Sequence, residues 1–229
     1  MDNFHPGHPA WSSAAPERLD ELRGRFPDFT WSDETIVQEQ RLPFYPDLPF
    51  VIARDSAWEP ANALVYVLVD GAELVHLNGT SPPIHELNGK GHLRLDDETT
   101  LGYLSFFCFF VCGDEGPFYV AMSRTAEYLP DSVRENGGEE HARTRDRFGD
   151  VFQSPRRFGR DDDGNRRFSA TIFYSNAAFV GDFVVQPSGM IEMKGDFPVI
   201  ADLPHKISAP LAPDVPVRSE RPNGAGTTH

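Results

Sequence analysis

The chain has 229 residues, and 21 Lys and Arg residues against 35 Asp and Glu residues give it a formal net charge of −14 with His neutral. Sequence-independent nucleic-acid binding depends on basic side chains that neutralise phosphates, so this balance argues against nucleic acid as a partner. It argues equally against docking on an anionic membrane surface.

The composition is that of a folded protein. Charged residues make up 24% of the chain, a usual share, and 18 Phe supply large apolar rings for a core. The first ten residues contain neither a basic nor an apolar segment of a secretion signal. No apolar run approaches the roughly 20 residues that a membrane-spanning helix needs. We therefore expect a cytoplasmic protein without membrane insertion.

The two ends of the chain differ in composition from the part between them. Residues 1–15 contain several His, Pro and Ser and are predicted to be a flexible segment. Residues 208–229 are Pro-rich and have no hydrophobic period, so a disordered tail is predicted there. The intervening residues 16–207 are predicted to form a single α+β domain.

A short helix is the first element predicted in this domain. It begins at Pro16, because proline suits the first helical position. Glu17 in the first turn and Arg23 and Arg25 in the last turn complement the helix dipole. Pro27 is expected to end the helix.

The pattern that follows predicts about eight or nine short strands, most of them joined by hairpins. The strongest signal lies at residues 63–69 and 72–77, because the Asp-Gly pair between them favours a type I′ turn. Residues 79–95 contain Pro-Pro and three glycines and are predicted to be irregular. The other strand candidates are 35–41, 50–53, 117–123, 156–160, 167–174, 179–186, 190–194 and 197–200. A short helix is also expected near 139–147.

One Phe-rich segment breaks this pattern. Residues 101–112 are apolar around most of a helical circumference, which predicts a helix over 97–112 that is buried on all sides. A buried strand is the alternative, because Phe, Tyr and Val favour strands. We favour the helix because Asp96 or Asp97 can cap its start and Gly113 suits the position after its end.

The predicted fold class is therefore α+β. A mostly antiparallel, curved sheet of about eight or nine short strands is expected to wrap over the buried helix 97–112, with a short N-terminal helix beside it. In the alternative arrangement the Phe-rich helix lies in an oligomer interface.

Three histidines with an adjacent carboxylate form the most conspicuous candidate site. His76, His85, His92 and Glu86 offer donor types that zinc or iron accepts, but their spacing fits no helical or strand metal motif. We therefore predict no metal. If the chain is an enzyme or a ligand carrier, the candidate residues are His76, His85, Glu86 and Tyr119, in a cavity of the curved sheet.

Other motifs indicate structure rather than chemistry. The acidic stretch 161–165 has its glycine too early for a calcium-binding EF-hand, and we interpret it as a hairpin turn. Cys108 and Cys112 are predicted to be free thiols that fill the core, because they lie among Phe residues toward the C-terminal end of the predicted helix. The sequence contains no dinucleotide or P-loop motif, so no cofactor is predicted.

The loop after the Phe-rich helix is a candidate for contact with a partner. Asp114 and Glu115 lie between two glycines, and Pro117 fixes the exit of the chain. This predicts a rigid acidic loop, for which a plain connection is the alternative interpretation.

The sequence leaves three functions open. The leading hypothesis is a non-enzymatic, acidic binding or accessory protein that contacts another protein, because the negative charge is not accompanied by a catalytic motif. The first alternative is a small-molecule enzyme or ligand carrier with a site near His76 and His85. The second is a homo-oligomeric assembly protein that uses the Phe-rich helix as its interface.

Overall fold

The computed structural model describes residues 10–59, 63–126, 129, 132–135, 138–201, 203 and 217–218. The helices are α1 (Pro16–Arg25), α2 (Pro82–Gly89), α3 (Thr99–Phe110) and α4 (Ala142–Val151), and a 3₁₀ turn at Glu139–His141 precedes α4. The strands are β1 (Ser12–Ser13), β2 (Ile36–Leu42), β3 (Tyr45–Arg54), β4 (Trp58–Glu59), β5 (Val65–Asp70), β6 (Glu73–His76), β7 (Phe118–Val120), β8 (Arg156–Arg160), β9 (Arg166–Tyr174), β10 (Ala177–Val185), β11 (Ile191–Ile200) and β12 (Val217–Arg218).

The fold is α+β with antiparallel sheets, as predicted. The strands are divided between two five-stranded sheets, whereas a single curved sheet was expected. Sheet 1 has the order β1-β2-β3-β5-β6, and sheet 2 has the order β11-β10-β9-β7 with β8 also paired to β9. A short ladder pairs β12 with β4. Within the described ranges, nine of the strands have three or more residues, which agrees with the predicted number.

The two central strands of sheet 1 are buried on both faces. Along β3 and β5, alternate side chains point into different hydrophobic clusters, because successive residues of a strand face opposite ways. Phe50 and Tyr66 belong to a large cluster, here called the main core. Val51 and Val67 belong to a smaller one, the second core, which sheet 1 forms with α1 through the buried Leu22.

Helix α3 occupies the main core between the two sheets. On the side of sheet 1, the ring of Phe110 lies 4.9 Å from that of Tyr66. On the side of sheet 2, the ring of Phe109 lies 5.3 Å from that of Tyr119 in β7. None of the twelve residues of α3 is exposed, so the helix is enclosed by a single chain, as the all-round apolar pattern predicts.

A chain of buried hydrogen bonds joins four elements at one end of α3. The hydroxyl of Tyr45 in β3 donates to Asn88 Oδ1 at 2.6 Å, and Asn88 Nδ2 donates to the Tyr103 hydroxyl at 2.8 Å. The Tyr103 hydroxyl donates in turn to the carbonyl of Gly189 at 2.8 Å, in the turn between β10 and β11. Burying these polar groups without partners would destabilise the folded state, and the hydrogen bonds prevent this. The same bonds connect sheet 1 to sheet 2 through α2 and α3.

Helix α2 was not expected, because residues 79–95 were predicted to be irregular. Pro82 and Pro83 occupy the first helical positions, where the backbone N–H groups have no partner within the helix, so proline does not break it there. Ile84 and Leu87 then turn toward the main core, where both are fully buried. Tertiary packing of these two side chains outweighs the turn-like local composition.

Two predicted turn positions also differ from the structure. Helix α3 ends at Phe110, so Gly113 does not follow the helix directly and instead forms a β-bridge with Gly116. In the first hairpin, Asp70 pairs with Glu73 and remains in the strand. The turn is Gly71-Ala72, and only Gly71 has a positive φ, of 60°, as in a type II′ turn rather than a type I′ turn.

The ends of the chain are described only in part. Trp11 is buried against Phe50, with ring centroids 5.1 Å apart, and β1 pairs with β2. Residues 1–9 lie outside the described residues. So does almost all of the predicted tail 208–229, in which only Val217 and Arg218 are placed, as β12.

The turn at Gly189 gives a direct test of how closely sheet 2 packs on α2 and α3. A Cβ at Gly189 would lie 2.4 Å from Asn88 Nδ2 and 2.7 Å from the Tyr103 hydroxyl, and the φ of 82° is unfavourable for other residues. We predict that Gly189→Ala lowers the free energy of unfolding by about 3 kcal/mol. Gly91 has the same φ of 82°, but a Cβ added there would have open space within 4 Å, so Gly91→Ala should cost only about 1 kcal/mol. Urea denaturation measures both, and equal losses would contradict the packing argument.

Candidate functional site

His76 lies at the end of β6, in the second core. Its ring packs edge-on against Phe26 at 5.2 Å and against Phe29 at 6.3 Å. Its Nε2 atom is buried and has no hydrogen-bond partner among the described residues. Burial, with a smaller contribution from the Arg25 charge, lowers the pKa of His76 to about 4. The imidazole is therefore neutral at physiological pH and acts as part of an aromatic cluster.

His85 and Glu86 lie on α2, the helix that packs against the main core. The ring of His85 is 5.5 Å from that of Phe107, which packs on the main core, and Glu86 is exposed. His76 and His85 are therefore not brought together, because they contact clusters on opposite faces of sheet 1. In the part of the chain that the structure describes, no three His, Cys, Asp or Glu side chains are grouped for a metal ion.

His92 is held by the turn of the first hairpin rather than by the other histidines. Its Nε2 lies 3.2 Å from Asp70 Oδ1. The ammonium of Lys90 contacts Asp70 at 2.9 Å and Glu73 at 2.6 Å. These contacts attach the segment after α2 to the β5–β6 hairpin, and the hydrogen bond from Lys90 lowers the pKa of Asp70.

Tyr119 is buried in β7, where it faces α3 and sheet 1. Burial and the nearby Cys112 raise the pKa of its hydroxyl, so the group remains protonated at neutral pH. Burial and, to a smaller extent, Tyr119 likewise raise the pKa of Tyr66, whose hydroxyl has no hydrogen-bond partner among the described residues. Both tyrosines belong to the core, and Tyr119 is only 8% exposed to solvent.

The acidic loop at Asp114 and Glu115 is attached to sheet 2 by hydrogen bonds. The backbone N–H of Glu115 donates to the Tyr174 hydroxyl at 2.7 Å, and Ser175 Oγ donates to the Glu115 carboxylate at 3.2 Å. A Cβ at Gly113 would lie 2.6 Å from the Tyr174 hydroxyl, which explains why glycine occurs there. Both acidic side chains are exposed, and their role in binding a partner stays a prediction.

The two other motifs have the structural roles that the sequence indicates. Asp161 closes its own hairpin turn by accepting a bond from the Asn165 N–H at 2.9 Å, and the contacts with Asn165 lower its pKa. Cys108 and Cys112 are free thiols. Burial raises the pKa of Cys108 to about 12 and also raises that of Cys112, so neither is activated as a thiolate.

The negative charge is unevenly distributed over the chain. Residues 10–126, without the undescribed 60–62, hold 8 basic and 18 acidic residues, a net −10, whereas residues 138–201 hold 9 and 10, a net −1. The excess lies on the first part of the chain, which forms sheet 1, α1, α2, α3 and strand β7 of sheet 2. Six exposed carboxylates on α1 and the connection to β2, here called the acidic face, contribute to it: Glu17, Asp20, Glu21, Asp28, Asp33 and Glu34.

Sequence reasoning missed an arginine cluster on sheet 2. Guanidinium groups of Arg157, Arg160 and Arg166 lie 2.9, 3.1 and 3.5 Å from the carboxylate of Asp97, just before α3. The hairpin β8–β9 supplies all three arginines, and Asp97 is about 60 residues away in the sequence. The only signal was the basic composition of the predicted strand 156–160.

No protein family, curated protein or solved structure matches this chain. Among the described residues, no helix has both the length and the apolar character required to cross a membrane.

The buried imidazole of His76 predicts a pH dependence of stability. Its pKa is about 4 in the folded chain and about 6.5 when unfolded, so the unfolded state binds more protons between these values. Stability should therefore fall as the pH decreases from 6.5 to 4, by at most about 3 kcal/mol from this group. Urea denaturation at pH 7.5 and 4.5 measures the loss, and His76→Phe should reduce it. An equal loss in wild type and variant would contradict the assignment.

Proposed function

We propose that the chain is a non-enzymatic binding protein that contacts a basic protein partner through its acidic face. The observation that carries this proposal is the uneven charge, a net −10 over residues 10–126 apart from 60–62, with six exposed carboxylates on one helix and the loop after it. A concentration of one sign steers an oppositely charged protein and increases its association rate.

The arginines of this segment offset the negative charge of the acidic face only in part, although Arg25 is exposed and the Arg23 side chain is 38% exposed. Arg18 contacts Glu21 and lies 3.8 Å from Glu39, and its side chain is 17% exposed. Arg23 lies 3.5 Å from Asp20. Over residues 16–35, six acidic residues against three basic ones leave a net −3. The outward surface of this segment therefore favours a cationic partner.

Apolar surface accompanies these carboxylates. Ile36, two residues after Glu34, exposes 46% of its surface at the start of β2. The ring of Trp31 is only half-buried and stacks on Phe29 at 5.9 Å. Protein interfaces combine an apolar centre with a polar rim, and tryptophan is frequent among the residues that dominate their affinity. We expect Trp31 and Ile36 to lie within the contact.

The remaining parts of the proposal follow from the same charge and from the thiols. A nucleic acid is not the expected partner, because binding its backbone, with many phosphates in a row, requires a basic surface of considerable extent. A cytoplasmic location is proposed because Cys108 and Cys112 are unpaired. Self-association through α3 receives no support, since none of its residues is exposed.

The acidic face is tested by neutralising its charges. In one variant Glu17, Asp20, Glu21, Asp28, Asp33 and Glu34 are changed to the corresponding amides. The immobilised chain is used to capture proteins from a low-salt lysate of the native cell, and salt then releases those that are bound electrostatically. We expect the amount of released protein to be at least about tenfold lower for the variant than for the wild type, because each lost carboxylate weakens the attraction. Quantitative mass spectrometry of the salt eluate measures it.

A matched control variant separates this surface from net charge. Asp146, Asp150, Asp162, Asp163, Glu192 and Asp196 are also exposed, lie on the other half of the molecule, and change the charge by the same amount when made amides. Capture should be retained in this control. Equal loss in both variants, retention in the acidic-face variant, or no salt-sensitive protein captured by the wild type would contradict the proposal.

A further inference from the structure

A cavity of about 520 Å³ opens where the segment before α3 meets the hairpins of sheet 2. Its volume lies within the range of small-molecule sites. Leu93, Leu95 and Pro187 form apolar walls, and the polar lining includes Arg94, Arg160 and Arg166. The arginines are thus placed beside apolar surface in a concave site, away from the acidic face.

The positive charge at this cavity is partly buried. Arg166 is 5% exposed, and its Nη2 donates to the carbonyl of Leu95 at 3.0 Å. Its Nε lies 3.5 Å from Asp97 Oδ1 and makes no hydrogen bond with any described residue. A buried charge that lacks a full set of partners destabilises the folded state, so an additional anion near this arginine is favourable.

The carboxylate that contacts Arg166, that of Asp97, is shared among three guanidinium groups. Asp97 also contacts Arg157 at 2.9 Å and Arg160 at 3.1 Å, and its side chain is 52% exposed. The hydrogen bond from Arg160, together with the charges of the arginines, lowers the pKa of Asp97. The carboxylate of Asp96 also lines the cavity and interacts electrostatically with Arg166, so three positive charges against two negative charges leave a local excess of one.

The other charged groups at the cavity are Asp96 and Arg94. The carboxylate of Asp96 accepts hydrogen bonds from the backbone N–H groups of Glu98 and Thr99, at 2.8 and 2.7 Å, at the start of α3. The guanidinium of Arg94 lies 4.0 Å from Asp47 and donates to the Leu93 carbonyl at 3.0 Å. Arg94 is thus paired with Asp47, and the excess positive charge belongs to the three arginines around Asp97.

We propose that this cavity binds a small organic phosphate monoester. Such a phosphate carries close to two negative charges at neutral pH, so the excess positive charge of the arginine cluster attracts it. Guanidinium groups match phosphate oxygens in geometry and bind them through paired hydrogen bonds. The phosphate would contact Arg160 at the mouth of the cavity, close to the buried charge of Arg166. Leu93, Leu95 and Pro187 would contact the carbon part of the ester.

Isothermal titration calorimetry of the full chain with phenyl phosphate at pH 7.5 tests the ligand class. We expect a dissociation constant of about 1 mM or lower for phenyl phosphate, weaker binding of inorganic phosphate and of benzoate, and none of phenol. The proposal would be overturned if phenyl phosphate did not bind at about ten times this expected dissociation constant. It would also be overturned if benzoate bound as tightly as phenyl phosphate.

Two substitutions on β8 test the position of the site. Arg160 lines the cavity and its side chain is 51% exposed, so Arg160→Gln should fold and bind phenyl phosphate at least about tenfold more weakly. Arg156 is exposed on the same strand, over the Phe158 ring at 5.1 Å, and outside the cavity. Arg156→Gln should leave the affinity unchanged. An unchanged affinity in Arg160→Gln, or an equal loss in Arg156→Gln, would overturn the assignment, whatever the fate of the acidic-face proposal.

Discussion

The aromatic side chains of α3 leave water only if both sheets close around them. A helix that is apolar on all sides has no face for solvent, and a single sheet covers one side of it. Phe106 and Phe110 are fully buried toward sheet 1, and Phe109 packs on sheet 2. Each buried ring contributes about 1.5–3 kcal/mol, a large fraction of the stability of a typical domain. The juxtaposition of the two sheets follows from this burial.

Directional bonds then select one arrangement of these apolar surfaces. Hydrophobic burial by itself tolerates many packings, but Tyr103 can donate to Gly189 only when the β10–β11 turn is seated against α3. At the opposite end of the helix, the Tyr174 hydroxyl accepts from the Glu115 backbone. The helix is thus fixed to sheet 2 at both ends. The N-terminal end of the helix positions Asp97 opposite the arginines of β8 and β9.

Local patterns explain how much of this could be predicted. The helix over 97–112 was recognised from its composition and from Asp96, whose carboxylate does accept bonds from the first N–H groups. The hairpins were recognised from turn residues between β-favouring runs. Helix α2 was missed because the packing of Ile84 and Leu87 on distant residues, which local composition does not encode, stabilises it.

The sites depend on contacts between parts of the chain that are far apart in the sequence. His76 and His85 are nine residues apart but face different cores, because a strand alternates its faces and sheet 1 separates the two clusters. Asp97 and Arg160 are 63 residues apart and touch. A sequence motif reports only spacing along the chain. The short spacing of His76 and His85 therefore suggested a site, whereas nothing in the sequence indicated the contact between Asp97 and Arg160.

The central claim is that α3 makes the two sheets a single cooperative unit. Native-state hydrogen exchange tests it most directly, because it measures the free energy of opening for each backbone amide. The amides of α3 from Tyr103 to Phe110, of β3 and β5, and of β9 and β10 should exchange with one common free energy, equal to that of global unfolding. If sheet 2 exchanges through a separate opening of lower free energy while α3 and sheet 1 stay protected, the claim is contradicted.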